Sequence, residues 1–250
     1  MTLTLMAIDV IVFLFLQPAS LQNPPSSALD RRAAAVQETS FTYRWGVIPC
    51  EVRHNRSLAS GVRCGTSQPP RSSLPSGKVV LVSLLTAMFI HASVLHLAGN
   101  MLFLWVFGAN VEDRLGHAAF LLLYLATGVA ATITYATFHW GSAVPLLGAS
   151  GAIAGVMGAY LVFRPRARVL TAILWQPFQV VHLPAWTILG LFFVTQFLTS
   201  DQTQVAWLAH AGGMVAGALV ALPVALVDRA RRRAASPSVE PNPAPWAAKA

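Results

Sequence analysis

The stretch GASGAIAGVMGAY, residues 148–160, sets one serine among glycines and alanines inside a long apolar region. Glycine is a poor helix former in water, yet small residues let two helices approach closely inside a bilayer. Read that way, the stretch is a packing face of a membrane helix. A hydroxyl gains nothing from lipid, so Ser150 needs a reason of its own.

The rest of the chain fits a membrane setting. Of its 250 residues 55% are hydrophobic and only 10% are charged, and the mean hydropathy is +0.59. Soluble domains carry about 25% charged residues, and a bilayer core asks for about 20 apolar residues per helix. Apolar blocks fall near 3–18, 81–108, 117–138, 144–163, 170–199 and 203–227. They predict an all-α, polytopic membrane protein with six transmembrane helices. The block 81–108 is too long for one upright span, and 170–199 is interrupted by His182 and Pro184. Ser93 is a good N-cap, so 81–92 leads in and the second span starts near 93.

The formal net charge of +8 reads as membrane anchoring rather than nucleic-acid binding. Arg164, Arg166 and Arg168, and Arg229, Arg231, Arg232 and Arg233, flank apolar blocks, as cytoplasmic segments do. The loops near 139–146 and 200–204 lack Lys and Arg and suit the opposite side. This places both termini in the cytoplasm, most simply across a bacterial plasma membrane. The domains expected are a first transmembrane helix over 1–19, an irregular extracytoplasmic region over 20–80 and a core over 81–228. A disordered basic tail over 229–250 completes the chain. The first apolar run lacks a basic flank, which favours a membrane helix over a cleaved signal peptide. Cys50 and Cys64 share the outer region, where a disulfide and two free thiols both remain open.

Polar groups inside a membrane are expensive and are functional candidates by default. Here they are His91, His96, Asn100, Ser150 and His210. Each alone is more often interhelical glue or close packing; together they form a pattern. His96 and Asn100 are four apart and share a helical face. Ser150 lies beside Gly151 and Gly155, and His210 shares a face with Gly213 and Gly217, so these two helices can pack with Ser150 facing His210. Ser150 stands about 21 Å along a helix from Arg164, and His210 about 28 Å from Arg229. His96 and Asn100 lie about 24 and 18 Å from Glu112. All four fall toward the outer side of the bilayer at one depth.

That constellation predicts nucleophilic catalysis. A serine hydroxyl needs an adjacent base, and neutral histidine supplies one. The tetrahedral intermediate needs donors, for which His96, Asn100 and the Ser150 backbone N–H are suitable. Among the nine acidic residues, only Asp9 falls within a span, where it reads as a satisfied polar contact. A Ser150–His210 dyad, oriented by local packing, is therefore expected. Pro184 would start the fifth helix, and Thr199, Ser200 and Asp201 would end it in a flexible cap, so that helix and loop gate the site.

HASVLHLAGNM (His91–Met101), VEDRLG (Val111–Gly116), GASGAIAGVMGAY and AHAGGMVAG (Ala209–Gly217) together resemble the motifs of the rhomboid intramembrane serine proteases, in order and spacing. The resemblance covers about 81–221. It implies Ser150 as nucleophile, His210 as general base, His96 and Asn100 at the oxyanion, and a six-helix rhomboid-like bundle. It further implies cleavage of transmembrane proteins near the outer face, with no cofactor or metal, and structural roles for Glu112 and Arg114. Its departures are Ala154 where some members carry a tyrosine packing on the catalytic histidine, and Arg44–Trp45 in place of the reverse order. The alternative is a catalytically silent rhomboid-like factor that binds membrane proteins; a channel would need a polar path that the apolar inner helix halves do not offer. Substrate and lipid bilayer are the expected partners, and the oligomeric state stays open.

Overall fold

The computed structural model describes residues 1–65, 74–173, 179–203 and 207–235. Among them, three helical segments are long and apolar enough to cross a membrane: Val94–Leu115, His117–Phe138 and Trp207–Ala235. The other three expected spans correspond to shorter apolar helices, Thr2–Leu16, Ser150–Phe163 and Ala185–Gln196. Hydropathy marks the blocks, but backbone breaks shorten the helices inside them.

The helices, in chain order, are α1 (Thr2–Ile11), α2 (Ala28–Trp45), α3 (Pro49–His54), α4 (Val80–Thr86) and α5 (Val94–Phe103). They continue with α6 (Ala109–Leu115), α7 (His117–Phe138), α8 (Ser150–Phe163), α9 (Ala185–Thr203) and α10 (Trp207–Ala235). A π turn over Leu104–Gly108 joins α5 to α6 into one span. Ser93 caps α5, its hydroxyl accepting from the His96 N–H at 3.1 Å. The second span thus begins where the sequence placed it.

The block 170–199 is not one helix. Arg164 and Pro165 stop α8, and the chain forms an antiparallel hairpin, β1 (Arg168–Ile173) with β2 (Gln179–Pro184), in the register Arg168↔Pro184. A short apolar run rich in Val, Ile and Thr does not reveal by hydrophobicity whether it is strand or helix. Helix α9 does start directly after Pro184, its first N–H groups received by Ala167 O at 2.9 Å and Pro165 O at 3.1 Å. It runs unbroken to Thr203, so Thr199, Ser200 and Asp201 are helical rather than a terminating cap.

Two further expectations change. Residues 229–235 belong to α10 rather than to a disordered tail; residues 236–250 lie outside the described residues. The region 20–80 is not irregular, because it holds the 18-residue α2, capped by Ser27, and the short α3. Alternating polar and small residues in α2 give no apolar stripe, which is why the sequence hid it.

Cys50 and Cys64 are disulfide-bonded, and Cys50 packs with Ile48, Leu58 and Ala143 in a small separate core. Beside it, Lys78 pairs with Glu51 at 2.7 Å with both side chains almost fully buried. Lys78 also donates to Gly46 O at 2.7 Å, and Glu51 accepts the Leu58 N–H at 2.7 Å. Burial pushes the Lys78 ammonium below its ordinary value, and Glu51 pulls it back. This unit grips the segment before Ser150: Val47 and Leu146 exchange backbone hydrogen bonds of 2.9 and 2.6 Å, and the Cys50 N–H reaches Ser142 O at 3.1 Å.

At the centre, α8 packs most extensively against α10 and α7. Its buried face, including Val156, Met157 and Ala159, meets Leu104, Phe107, Phe120 and Tyr124. Asp9 in α1 is completely buried, and among the described residues neither of its carboxylate oxygens has a hydrogen-bond partner. The expectation of a satisfied contact there is therefore wrong: the fully buried Tyr124 hydroxyl lies within electrostatic reach of the carboxylate but makes no hydrogen bond to it. Glu112 accepts the Thr2 N–H at 2.7 Å and contacts Met1 and His117, while Arg114 pairs with Asp228 of α10. These contacts tie α6 to α1 and α10, in keeping with structural roles.

Candidate active site

Gly148 turns the chain into α8 with φ of +118°, a conformation that L side chains rarely adopt. Its N–H is held by Ala87 O at 2.8 Å. Ser150 is then the first residue of α8, where backbone N–H groups have no intrahelical acceptor. Helix α10 brings His210, which is 8% exposed, against it. Glycines make the approach close: a Cβ on Gly213 would stand 2.2 Å from Gly151 O, and one on Gly217 would stand 1.8 Å from Gly155 O. The small-residue stripes expected to face each other do so.

The result is a hydrogen bond of 2.8 Å between Ser150 Oγ and His210 Nε2. On its other side, His210 Nδ1 lies 2.8 Å from Gln196 Oε1 on α9. An amide oxygen only accepts, so the Gln196 contact is a hydrogen bond in the tautomer protonated at Nδ1, the one that leaves the Nε2 lone pair for the Ser150 hydroxyl. Phe192, one turn earlier on α9, places its ring 6.0 Å from the imidazole. The packing that Ala154 cannot give is supplied from a different helix.

His96 and Asn100 reach the same place from α5. A Cβ built on Gly148 would lie 2.9 Å from His96 Nε2 and 3.8 Å from Ser150 Oγ, so both side chains border the space over that glycine. The Ala92 N–H donates to His96 Nδ1 at 3.4 Å, which puts the His96 proton on Nε2, the atom facing the site. Asn100 is 7% exposed, and its buried Nδ2 has no hydrogen-bond partner among the described residues. An unmet donor of this kind costs about 1–3 kcal/mol. All four expected residues line one cavity of about 830 Å³, together with Gln196, Phe192 and residues of the loop before α8. His91 does not line it; fully buried, it sits edge-on to His96 with centroids 5.3 Å apart.

Sequence reasoning missed Gln196 and Phe192. The rule that polar groups within apolar blocks are functional candidates flags Gln196 as readily as His210.

A family model described as the Rhomboid domain matches residues 79–226, more than half of the chain. The chain belongs to the rhomboid family. It is 38% identical over 121 residues to the presenilin-associated rhomboid-like protein, mitochondrial, of Bos taurus, covering 46% of this chain and 29% of that protein. It is 46% identical over 78 residues to the rhomboid protease GluP of Bacillus subtilis, covering 31% of this chain and 15% of that one. With RHOMBOID-like protein 6, mitochondrial, of Arabidopsis thaliana, identity is 41% over 78 residues, 31% of this chain and 25% of the relative. The matched stretches span less than a third of each of these relatives. As a rhomboid, the chain is an integral membrane protein, mostly helical, with the Ser150–His210 pair inside its matched region.

Proposed function

We propose that this rhomboid is an intramembrane serine endopeptidase that cleaves transmembrane segments of membrane proteins. The observation that carries the reading is the 2.8 Å contact between Ser150 Oγ and His210 Nε2 at the head of α8. Ser150 Oγ attacks the scissile carbonyl carbon as its proton passes to Nε2. The oxyanion forms beside the Ser150 N–H, with His96 Nε2–H and Asn100 Nδ2–H as further donors. His210 then returns its proton to the leaving amine, the C–N bond breaks, and water hydrolyses the acyl-enzyme. A liquid water occupies about 30 Å³, so the cavity has room for water beside a substrate strand. The termini, on the side of the arginine clusters, are proposed to be cytoplasmic. Mitochondrial names among the relatives lend no support to a bacterial plasma membrane.

The deciding experiment treats the purified protein with a fluorophosphonate and maps the adduct, alongside cleavage of a transmembrane peptide in liposomes. Adduct on Ser150 with cleavage supports the protease. A folded protein that binds the peptide but neither labels nor cleaves it identifies the silent alternative.

Asn100 gives a sharper test of the oxyanion. Its Nδ2 is already desolvated and unpaired, so Asn100→Ala removes a cost from the resting protein and a donor from the transition state. Turnover is expected to fall roughly 10- to 1000-fold with no loss of thermal stability. A variant that loses stability and activity together would make Asn100 structural instead.

Access is proposed to run past α9. Phe103 of α5 and Phe192 of α9 are in contact, with ring centroids 5.3 Å apart. Oxidising the double variant Phe103→Cys/Phe192→Cys is expected to stop the cleavage of the transmembrane peptide that the same variant shows when reduced, while fluorophosphonate labelling is equal in its oxidised and reduced forms. Reductant should restore cleavage, with wild type under the same reductant as control. Undiminished cleavage by the crosslinked form would remove the gate.

A further inference from the structure

A dyad has no third residue to hold its histidine, and no carboxylate among the described residues is hydrogen-bonded to His210. The imidazole nevertheless has both nitrogens engaged. Gln196 Oε1 stands 2.8 Å from Nδ1 and Ser150 Oγ stands 2.8 Å from Nε2. A neutral imidazole has two tautomers, and only the one protonated at Nδ1 leaves Nε2 free to take the serine proton. In water the two lie close in energy, so a fixed acceptor at Nδ1 decides which is present.

We propose that Gln196 is a positioning residue that holds His210 in the Nδ1-protonated tautomer, making the base competent only while α9 is docked against α10. This inference rests on the dyad reading of Ser150 and His210. Three features of the fold carry it. Gln196 and Phe192 sit one turn apart on α9, so one helix supplies both the acceptor and the ring packed on the imidazole. Gln196 also lines the cavity next to His210. And α9 begins after a hairpin that separates it from α8, so the residue that orients the base is not on either helix bearing the dyad.

The same contact serves the whole reaction. When Nε2 takes the serine proton, Nδ1–H keeps donating to Gln196 Oε1, and the amide dipole favours the new positive charge. Gln196 never gains or loses a proton. An amide on the far side of a histidine is also the arrangement of the Cys-His-Asn proteases, so a carboxylate is not required. Substrate that pushed α9 away would separate Gln196 from Nδ1, which ties productive binding to a docked α9.

The test has two independent readouts. First, ¹⁵N-histidine spectra of the full chain in bicelles, with the His210 signals among seven histidines assigned by difference from His210→Gln, report the tautomer directly. Wild type is expected to show Nδ1 protonated and Nε2 bare, and Gln196→Leu to show a mixture or the opposite form. Second, kcat and KM are measured for a transmembrane peptide in liposomes. Gln196→Leu is expected to lower kcat roughly 10- to 100-fold at unchanged KM, while Gln196→Glu, which keeps an acceptor oxygen in place, restores most of it. Wild-type spectra with Nε2 protonated, or a folded Gln196→Leu with wild-type kcat, would overturn the proposal. If wild type proves inactive, the protease reading fails, and the spectra still decide whether Gln196 sets the tautomer. If Gln196→Leu does not fold, the wild-type spectrum together with Gln196→Glu decides it.

Discussion

His210→Ala is expected to lower turnover of a transmembrane peptide by roughly 10⁴- to 10⁶-fold, with Ser150→Ala falling in the same range. The 2.8 Å bond between the two groups is the reason the losses should match. Without the imidazole the hydroxyl keeps its proton, and without the hydroxyl the base has nothing to activate. Members of one proton-transfer unit do not add, so the double variant should be no slower than either single one. Fluorophosphonate labelling should vanish in Ser150→Ala and become very slow in His210→Ala. Both variants should fold, because His210 is small relative to the cavity it lines and Ser150 makes its side-chain hydrogen bond to His210. Two folded variants that retain wild-type cleavage would sink the dyad. A double variant slower than the singles by the product of their effects would show that the two residues act separately.

Gly217→Val is expected to prevent stable folding. A Cβ at Gly217 would lie 1.8 Å from Gly155 O and 2.6 Å from Gly155 C, and both are main-chain atoms of α8 that no rotamer change can move. Overpacking against yielding side chains costs about 1–3 kcal/mol; against a facing backbone, α10 must shift as a body. That shift would also pull His210 from Ser150, so Gly217→Ala should lose activity before it loses its helices. Thermal unfolding in detergent, read beside cleavage, checks this. Gly190→Ala provides the contrast, since a Cβ there meets nothing within 4 Å and stability should change by less than about 1 kcal/mol. Equal unfolding temperatures for Gly217→Val and wild type would mean that α8 and α10 do not pack as described.

Much of this site is legible in the chain itself. Ser150, His210, His96 and Asn100 stand out because each is a polar residue within an apolar block, where only a partner or a function justifies it. Gly151, Gly155, Gly213 and Gly217 announce a close helix pair by spacing alone. The start of α5 at Ser93 and of α9 after Pro184 are local backbone matters, decided by a capping hydroxyl and by a missing N–H. Membrane insertion follows from composition.

Tertiary structure decided the rest, because the deciding interactions join residues far apart in sequence. The run before α9 pairs as a hairpin because β1 finds β2, and nothing within either strand dictates that. Among the described residues Asp9 has no hydrogen-bond partner because of what packs around α1, not because of its own neighbours in the chain. Helix α8 begins at Ser150 rather than earlier because Val47 and Ala87 hold the preceding loop by its backbone. The fixing of His210 came from Gln196 and Phe192 of α9, whose approach to α10 no spacing reveals. Sequence determined which groups are costly enough to need a purpose; only the packing of distant helices determined which of them meet.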